Sequence, residues 1–426
     1  NMQDKVSFYA WVFLLLSMLI ATTSTFQFFS IAYVASEGSF LDDVGLTHEL
    51  YGVITGPVFL VALGVSVFSH GLYLDKVTRI KWSLIVYGIV SSLGCMGYSV
   101  ARGFWGVTLC VVSIAAGTGG ITPAFVREMT KHFPSQKRGV ALGIFQMRFY
   151  LGSGLASFSL IISDCLGWRL TFVVIGVAGL LVCLVSSFFL RSETTGELQT
   201  SLLEYEAKTN LLENLSFTLN NKVVLFVMIA AMCRYAATYA RGFFTGIYFA
   251  QVFPGHTHQF SVLNALFLFA TPLSLYLGGK LADYKESTCN FRWTPMICSL
   301  TNLVSVPFAF CMSLTNSFTV ASVCLSVISV VGETYNSLNI SLILNSTPRN
   351  MQAFQTGLML CVTVLAGSLS CLVVGSRDLE DLALMMLVVL TAGYFLSSVF
   401  YYLASPHYER TMQQKSLLYS VNSNFK

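Results

Sequence analysis

The chain has 426 residues, of which 55% are hydrophobic and 10% charged, with a formal net charge of +4. A soluble globular chain carries roughly 25% charged residues, so this composition excludes an ordinary water-soluble enzyme. The small net charge, with no basic patch interleaved with aromatics, excludes a nucleic-acid partner.

Apolar runs of about 20 residues recur instead, each long enough to cross roughly 30 Å of hydrocarbon. Lipid offers backbone amides no hydrogen-bond partner, so such runs are helices. The pattern predicts an all-α membrane protein with twelve transmembrane helices: 8–34, 51–74, 82–101, 104–130, 139–165, 168–190, 222–250, 259–283, 293–315, 317–345, 351–375 and 381–404. The first run exceeds the apolar core of a signal peptide and is expected to be a signal anchor. The polar stretch 191–221 separates the first six helices (domain 1–190) from the last six (222–404), and a polar tail covers 405–426. Within that linker, LLEYEAKTNLLENL reads either as a surface helix or as solvated chain.

Eighteen of the 24 Lys and Arg fall on the side that carries both termini. Only Arg102, Arg169 and Arg377 fall on the other, and Arg148, Arg234 and Arg241 lie inside spans. This asymmetry predicts that both termini are cytosolic. The sequons at Asn214, Asn339 and Asn345 are then expected to stay unglycosylated. Nearly all eleven cysteines lie in apolar runs, where Cys is a small hydrophobe, and Cys165 in an outer loop has no partner there, so no structural disulfide is expected.

The two halves share a short repeat. The second span ends Gly71-Leu-Tyr-Leu-Asp75-Lys76, and the eighth ends Gly279-Lys-Leu-Ala-Asp283. Gly in this position lets two helices approach, and the Asp can cap a neighbour or pair with Lys76, Arg79 and Lys81. Gating and stability, rather than substrate contact, are assigned to Gly71, Asp75, Lys76, Arg79, Gly279 and Asp283. The pair at equivalent positions in a six-plus-six chain resembles the signature of the major facilitator superfamily, whose two pseudo-repeats rock about a central site.

Polar groups inside the apolar runs are the candidate site. "VGETYNSLN" (Val331–Asn339) places Glu333 in the tenth span, with Asn336 and Asn339 on roughly the same face. Ionisable residues at that depth are costly and usually face a cavity or a partner. Glu333 is therefore read as a cavity group or as a structural group bonded within its own half. Arg148 in the fifth span is expected to pair with Glu333 across the halves or to hold an anionic substrate group, which a guanidinium fork does well; the bland alternative is snorkelling to water. In the seventh span, which also holds Tyr235 and Tyr239, Arg234 and Arg241 are seven apart and share a face, so they either contact substrate or pair locally. Asn336 and Asn339 either bond substrate or glue helices. His256 and His258 are read as a solvated loop, since two ligands make no metal site. The acidic stretch Ser36–Glu49 is read as solvated too.

"GETYNSLN" followed by "PRNMQAFQ" (Pro348–Gln355) resembles the tenth and eleventh helices of the spinster family, which reads Gly-Glu-Thr-x-x-Ser-x-Asn and then Pro-x-x-Arg…Ala-Phe-Gln. "IFQMRFYLGSGLA" (Ile144–Ala156) and "LGWRLTF" (Leu166–Phe172) are similar to its fifth and sixth helices. The resemblance implies an alternating-access transporter of lysophospholipids or sphingolipids on endolysosomal or plasma membranes. It also implies that a first-helix Asp-Arg pair and a fourth-helix Arg and Glu serve proton coupling. This sequence has Gln27 and Phe28, then Val111 and Thr118, at those places, so a uniporter or facilitator is expected.

Two other functions stay open: a facilitator for a small organic anion, and a degenerate transporter acting as a structural membrane subunit. A sugar porter is disfavoured by the lack of a Pro-Glu-Ser-Pro-Arg element. Expected partners are a lipid or amphiphilic anion and membrane lipids, with a monomer as the working state. No cofactor or metal is expected, and no nucleophile elbow, metal cluster or phosphate loop suggests an enzyme.

Overall fold

The computed structural model describes residues 7–37, 39–74, 80–133, 138–190, 211–348, 351–376 and 381–424. All regular structure among them is helical, and twelve helices or helix stacks are long and apolar enough to span a membrane. In order, the helices are α1 (Phe8–Val34), α2 (Ser39–Val44), α3 (His48–Val53), α4 (Phe59–Leu74), α5 (Ile80–Gly97), α6 (Gly103–His132), α7 (Arg138–Gln146), α8 (Arg148–Ser157), α9 (Ser159–Leu166) and α10 (Trp168–Phe189). The second half continues with α11 (Leu211–Asn220), α12 (Lys222–Val252), α13 (Thr257–Ser287), α14 (Trp293–Leu314), α15 (Phe318–Val330), α16 (Tyr335–Ser346), α17 (Gln352–Gly375) and α18 (Leu382–Asn424).

Several spans are broken where the sequence weakens the backbone ladder. Pro57 lacks an N–H, and the turn around it, Ile54–Val58, widens to a π-turn joining α3 to α4. The fifth span is a stack of α7, α8 and α9. The tenth is α15 and α16 joined by a single 3₁₀ turn, Gly332–Thr334.

The chain forms two compact units. One comprises Asn1–Gly196, Gly242–Phe269 and Cys371–Leu382; the other comprises Glu197–Arg241, Ala270–Ser370 and Ala383–Lys426. Packing thus assigns one end of α12 and α13 and the end of α17 to the first unit, rather than dividing the chain at the linker.

The first unit is built on a core that includes Phe13, Leu84, Phe125 and Phe145. Gly152 permits close contact of α8 with α1: a Cβ there would lie 2.6 Å from Thr25 Cβ. The ends of α12 and α13 are tied into this unit by polar bonds. Asn264 Nδ2 donates to Tyr33 Oη (2.7 Å) and Ser157 Oγ (2.6 Å), and the Ser261 hydroxyl donates to the Ser157 carbonyl. Tyr51 Oη donates to the Phe243 carbonyl at 3.3 Å. The second unit has its own core, with Val224, Cys298, Leu342, Tyr401 and Tyr408.

Candidate functional site

In the second unit the 3₁₀ turn presents Glu333 to α12. Its Oε1 accepts from Arg234 Nη2 at 3.0 Å and from Arg241 Nη2 at 2.7 Å. The seven-residue spacing on α12 places the two guanidinium groups two turns apart, flanking one carboxylate. Arg234 is fully buried and Glu333 is 2% exposed. Arg234 also donates to the Gly332 carbonyl at 3.0 Å and to Thr238 Oγ1 at 2.6 Å. Its guanidinium stands over the rings of Tyr335 (4.7 Å) and Tyr394 (4.5 Å), contacts that stabilise a desolvated cation. Arg241 Nη1 donates to Ser329 Oγ at 2.7 Å, while its Nε is buried without an acceptor among the described residues. The cluster carries two positive charges and one negative.

Gly332 is required there. A Cβ at that position would lie 2.7 Å from Ser305 Oγ and 3.3 Å from Arg234 Nη2. Tyr235 donates to Asn336 Oδ1 at 3.2 Å. Asn339 is used inside the bundle: its Nδ2 meets Met359 Sδ at 3.2 Å, and its Oδ1 accepts from Tyr401 Oη at 3.1 Å. Of the two readings for Asn339, this placement is the helix-gluing one.

In the first unit Arg148 opens α8. Its Nη2 donates to Thr122 Oγ1 on α6 at 2.8 Å, and its guanidinium lies 4.8 Å from the Phe145 ring centre. Its Nε is closed off from solvent without an acceptor, and no carboxylate pairs with it among the described residues. Thr118 lies one turn from Thr122 on α6, and its hydroxyl is also buried without a partner among the described residues. Beside Arg148 in sequence, Phe149 packs edge-on to Phe29 at 5.3 Å, and Phe29, Phe28, Phe59 and Phe243 continue the aromatic cluster.

The arginines on Glu333 come from α12 in its own unit, and within the first unit Arg148 donates to Thr122. Gln27 is fully buried and faces α5, donating to Ser92 Oγ (2.9 Å) and accepting from Ser91 Oγ (2.7 Å).

The gating motif is placed in part. Asp75, Lys76 and Arg79 lie outside the described residues, and of Gly71 only the helical backbone is described. The close-approach reading of Gly279 is corrected, because a Cβ there would meet nothing within 4 Å. The tight neighbour is Gly278, whose Cβ would lie 2.1 Å from Thr334 Cγ2. Asp283 is exposed.

One loop reading is also corrected. In the acidic stretch, Asp43 Oδ2 accepts from Trp168 Nε1 at 2.9 Å and pairs with Arg169 at 3.3 Å, while Phe40 is fully buried. His256 and His258 are both exposed, in line with a solvated loop, and His258 Nε2 lies 2.8 Å from Asp164 Oδ2 at the surface. Among the described residues no group of three His, Cys, Asp or Glu is placed to hold a metal.

The sequence reading missed Thr238, Ser329, Thr122 and Tyr394. The first two carried a signal, since Thr238 is four residues after Arg234 and Ser329 four before Glu333, one turn away in a helix. Tyr394 and Thr122 depend on which helices pack together, which no local spacing encodes.

Comparisons with known proteins bear on this arrangement. The sequence model of the Major Facilitator Superfamily matches residues 14–371. An MFS-type efflux pump of Mycolicibacterium smegmatis (strain ATCC 700084 / mc(2)155) is 24% identical over 395 residues, 88% of each chain. A bacterial homologue of the human lysosomal transporter Spinster, in an inward-facing and unoccupied conformation, is similar in structure with a TM-score of 0.78. The identity is 18%, covering 96% of this chain and 99% of that one. A peptide transporter, POT, as a point mutant in complex with alafosfalin, follows at TM-score 0.68 and 12% identity, over 94% and 95% of the two chains. Identities this low establish a shared fold, whereas the superfamily model spans most of the sequence. The chain belongs to the Major Facilitator Superfamily.

Proposed function

We propose that this member of the superfamily is an alternating-access facilitator for an amphiphilic anion of the lysolipid or sphingolipid phosphate class. The observation that carries the reading is Arg148. A guanidinium with a buried Nε and no carboxylate partner among the described residues is costly in a membrane, and an arriving phosphate or carboxylate would relieve that cost with two parallel hydrogen bonds. Phe149, the next residue in the chain and only partly buried, adds an aromatic ring to this part of α8, which suits a ligand with a charged head and a hydrocarbon tail. The structural likeness to Spinster homologues supports the same class.

Coupling to protons through the first helix is disfavoured, because the amide at position 27 is fixed between Ser91 and Ser92 and does not titrate. Substrate would then move down its own gradient.

The test is uptake of labelled lysophospholipid into liposomes holding the wild type or Arg148→Gln, with and without a proton gradient. Uptake that needs Arg148 and ignores the proton gradient is the expected result. Uptake driven by protons would overturn the facilitator reading. Uptake of a small carboxylate but of no lysolipid would overturn the lipid assignment and leave an organic-anion facilitator.

A further inference from the structure

A second cationic site lies in the second unit, away from Glu333. Helix α11 ends at Asn220, and Asn221 turns the chain into α12, its Oδ1 accepting from the backbone amides of Val223 (3.1 Å) and Val224 (3.3 Å). Between this corner and α18 is an open cleft of about 460 Å³. Its lining includes Lys222, His407 and Arg410, with Phe217, Asn221 and Thr411, and it contains no acidic residue. Neither Lys222 nor Arg410 has an ion pair among the described residues, and both are exposed.

The depth of the cleft follows from the helices that form it. Lys222 is the first residue of α12, at the mouth of a membrane span. His407 is about 38 Å along α18 at 1.5 Å per residue, just past the roughly 30 Å that hydrocarbon requires. Helix α11 gives an independent sign of the membrane surface. Asn214 and Thr218 are buried against the bundle, where Thr218 Oγ1 donates to Gln355 Oε1 at 2.8 Å and Gln355 Nε2 donates to the Asn214 carbonyl at 3.0 Å. Another face carries Leu212, Leu215 and Leu219, which are 80%, 36% and 68% exposed. Leucines at i, i+3 and i+7 on a helix already anchored by its polar side form a stripe suited to lie in the headgroup boundary.

We infer that this cleft binds the phosphate of an anionic phospholipid headgroup, with Lys222 and Arg410 as its cations and the acyl chains running beside the leucine stripe of α11. The lipid would clamp α11 and the junction into α12 to the end of α18. The site is independent of the transport substrate, and its occupancy links the bilayer's anionic content to the order of this corner.

The experiment is native mass spectrometry of the full chain released from phosphatidylcholine vesicles doped with phosphatidic acid, wild type against Lys222→Gln/Arg410→Gln. The wild type is expected to retain one phosphatidic acid in preference to phosphatidylcholine. The double variant is expected to lose about thirtyfold in that preference, at about a factor of five per cation near an anionic surface. Equal retention by the two proteins would overturn the proposal. Displacement of the lipid by inorganic phosphate alone would also overturn it, because a free ion would then suffice. Both charges are exposed, so the variant should unfold at the wild-type temperature in pure phosphatidylcholine. Should it not, the two single variants give the same test, each expected to lose about fivefold.

Discussion

The two arginine sites inside the spans differ in how their charge is met. Around Glu333, Arg234 and Arg241 share a carboxylate, and Arg234 adds a carbonyl, a hydroxyl and two ring faces. Around Arg148 there is a threonine hydroxyl, one ring and no carboxylate among the described residues. A cation whose charge is met by a carboxylate of its own unit is part of the framework, and its removal is felt as lost stability. A cation left underprovided is a poor framework element, and its removal is felt when a ligand arrives. Sequence alone ranked the two sites together as ionisable residues in apolar spans; only the count of their partners separates them.

The contrast is testable by substitution. Glu333→Gln leaves two guanidinium groups buried without their carboxylate and is expected to cost roughly 3–5 kcal/mol, read by denaturant unfolding in a lipid-detergent mixture. A cost under about 1 kcal/mol would mean the cluster is not balancing charge. Arg148→Gln should leave that unfolding curve within about 1 kcal/mol of wild type while raising the apparent KM for an anionic substrate about ten- to a hundredfold, as for a lost hydrogen-bonded charge contact. A loss of stability comparable to that of Glu333→Gln would make Arg148 a framework residue and remove the basis of the substrate reading.

Smaller effects probe the packing around these sites. Gly152→Ala puts a methyl 2.6 Å from Thr25 Cβ, and such overpacking costs roughly 1–3 kcal/mol. The loss should appear in the unfolding curve and be absent in Gly279→Ala, where a Cβ meets nothing within 4 Å. His258→Gln removes the contact with Asp164, a pair whose side chains are 60% and 38% exposed. It should cost at most about 1 kcal/mol.

The fold was legible because each span must satisfy its backbone within a single apolar run, and that demand writes itself into about 20 consecutive residues. The Glu333 site was half legible. A carboxylate in "GETYNSLN" and two arginines seven apart are visible locally, but their meeting depends on how α12 packs against the broken tenth span. The same gap hides the bond from Arg148 to Thr122, since cross-helix neighbours leave no periodic trace. Gly278 and Gly279 show the limit at its finest: one residue around the helix separates a crowded approach to Thr334 from open space, and the motif pointed to the wrong one. Asp43 reads as solvated because loop composition does not reveal a tertiary partner.

The 3₁₀ turn at Gly332–Thr334 has a mechanical consequence. A continuous helix of the tenth span's length bends as one rod, spreading any deflection along its whole ladder of bonds. Here the ladder is interrupted for three residues, and the interruption is where Arg234 takes hold of the Gly332 carbonyl and of Glu333. Compliance is thereby concentrated in one joint, and the joint is pinned by side chains from another helix. α15 and α16 can change their mutual angle without unwinding either, and the stiffness opposing that change is set by a handful of charge-assisted bonds at the pin.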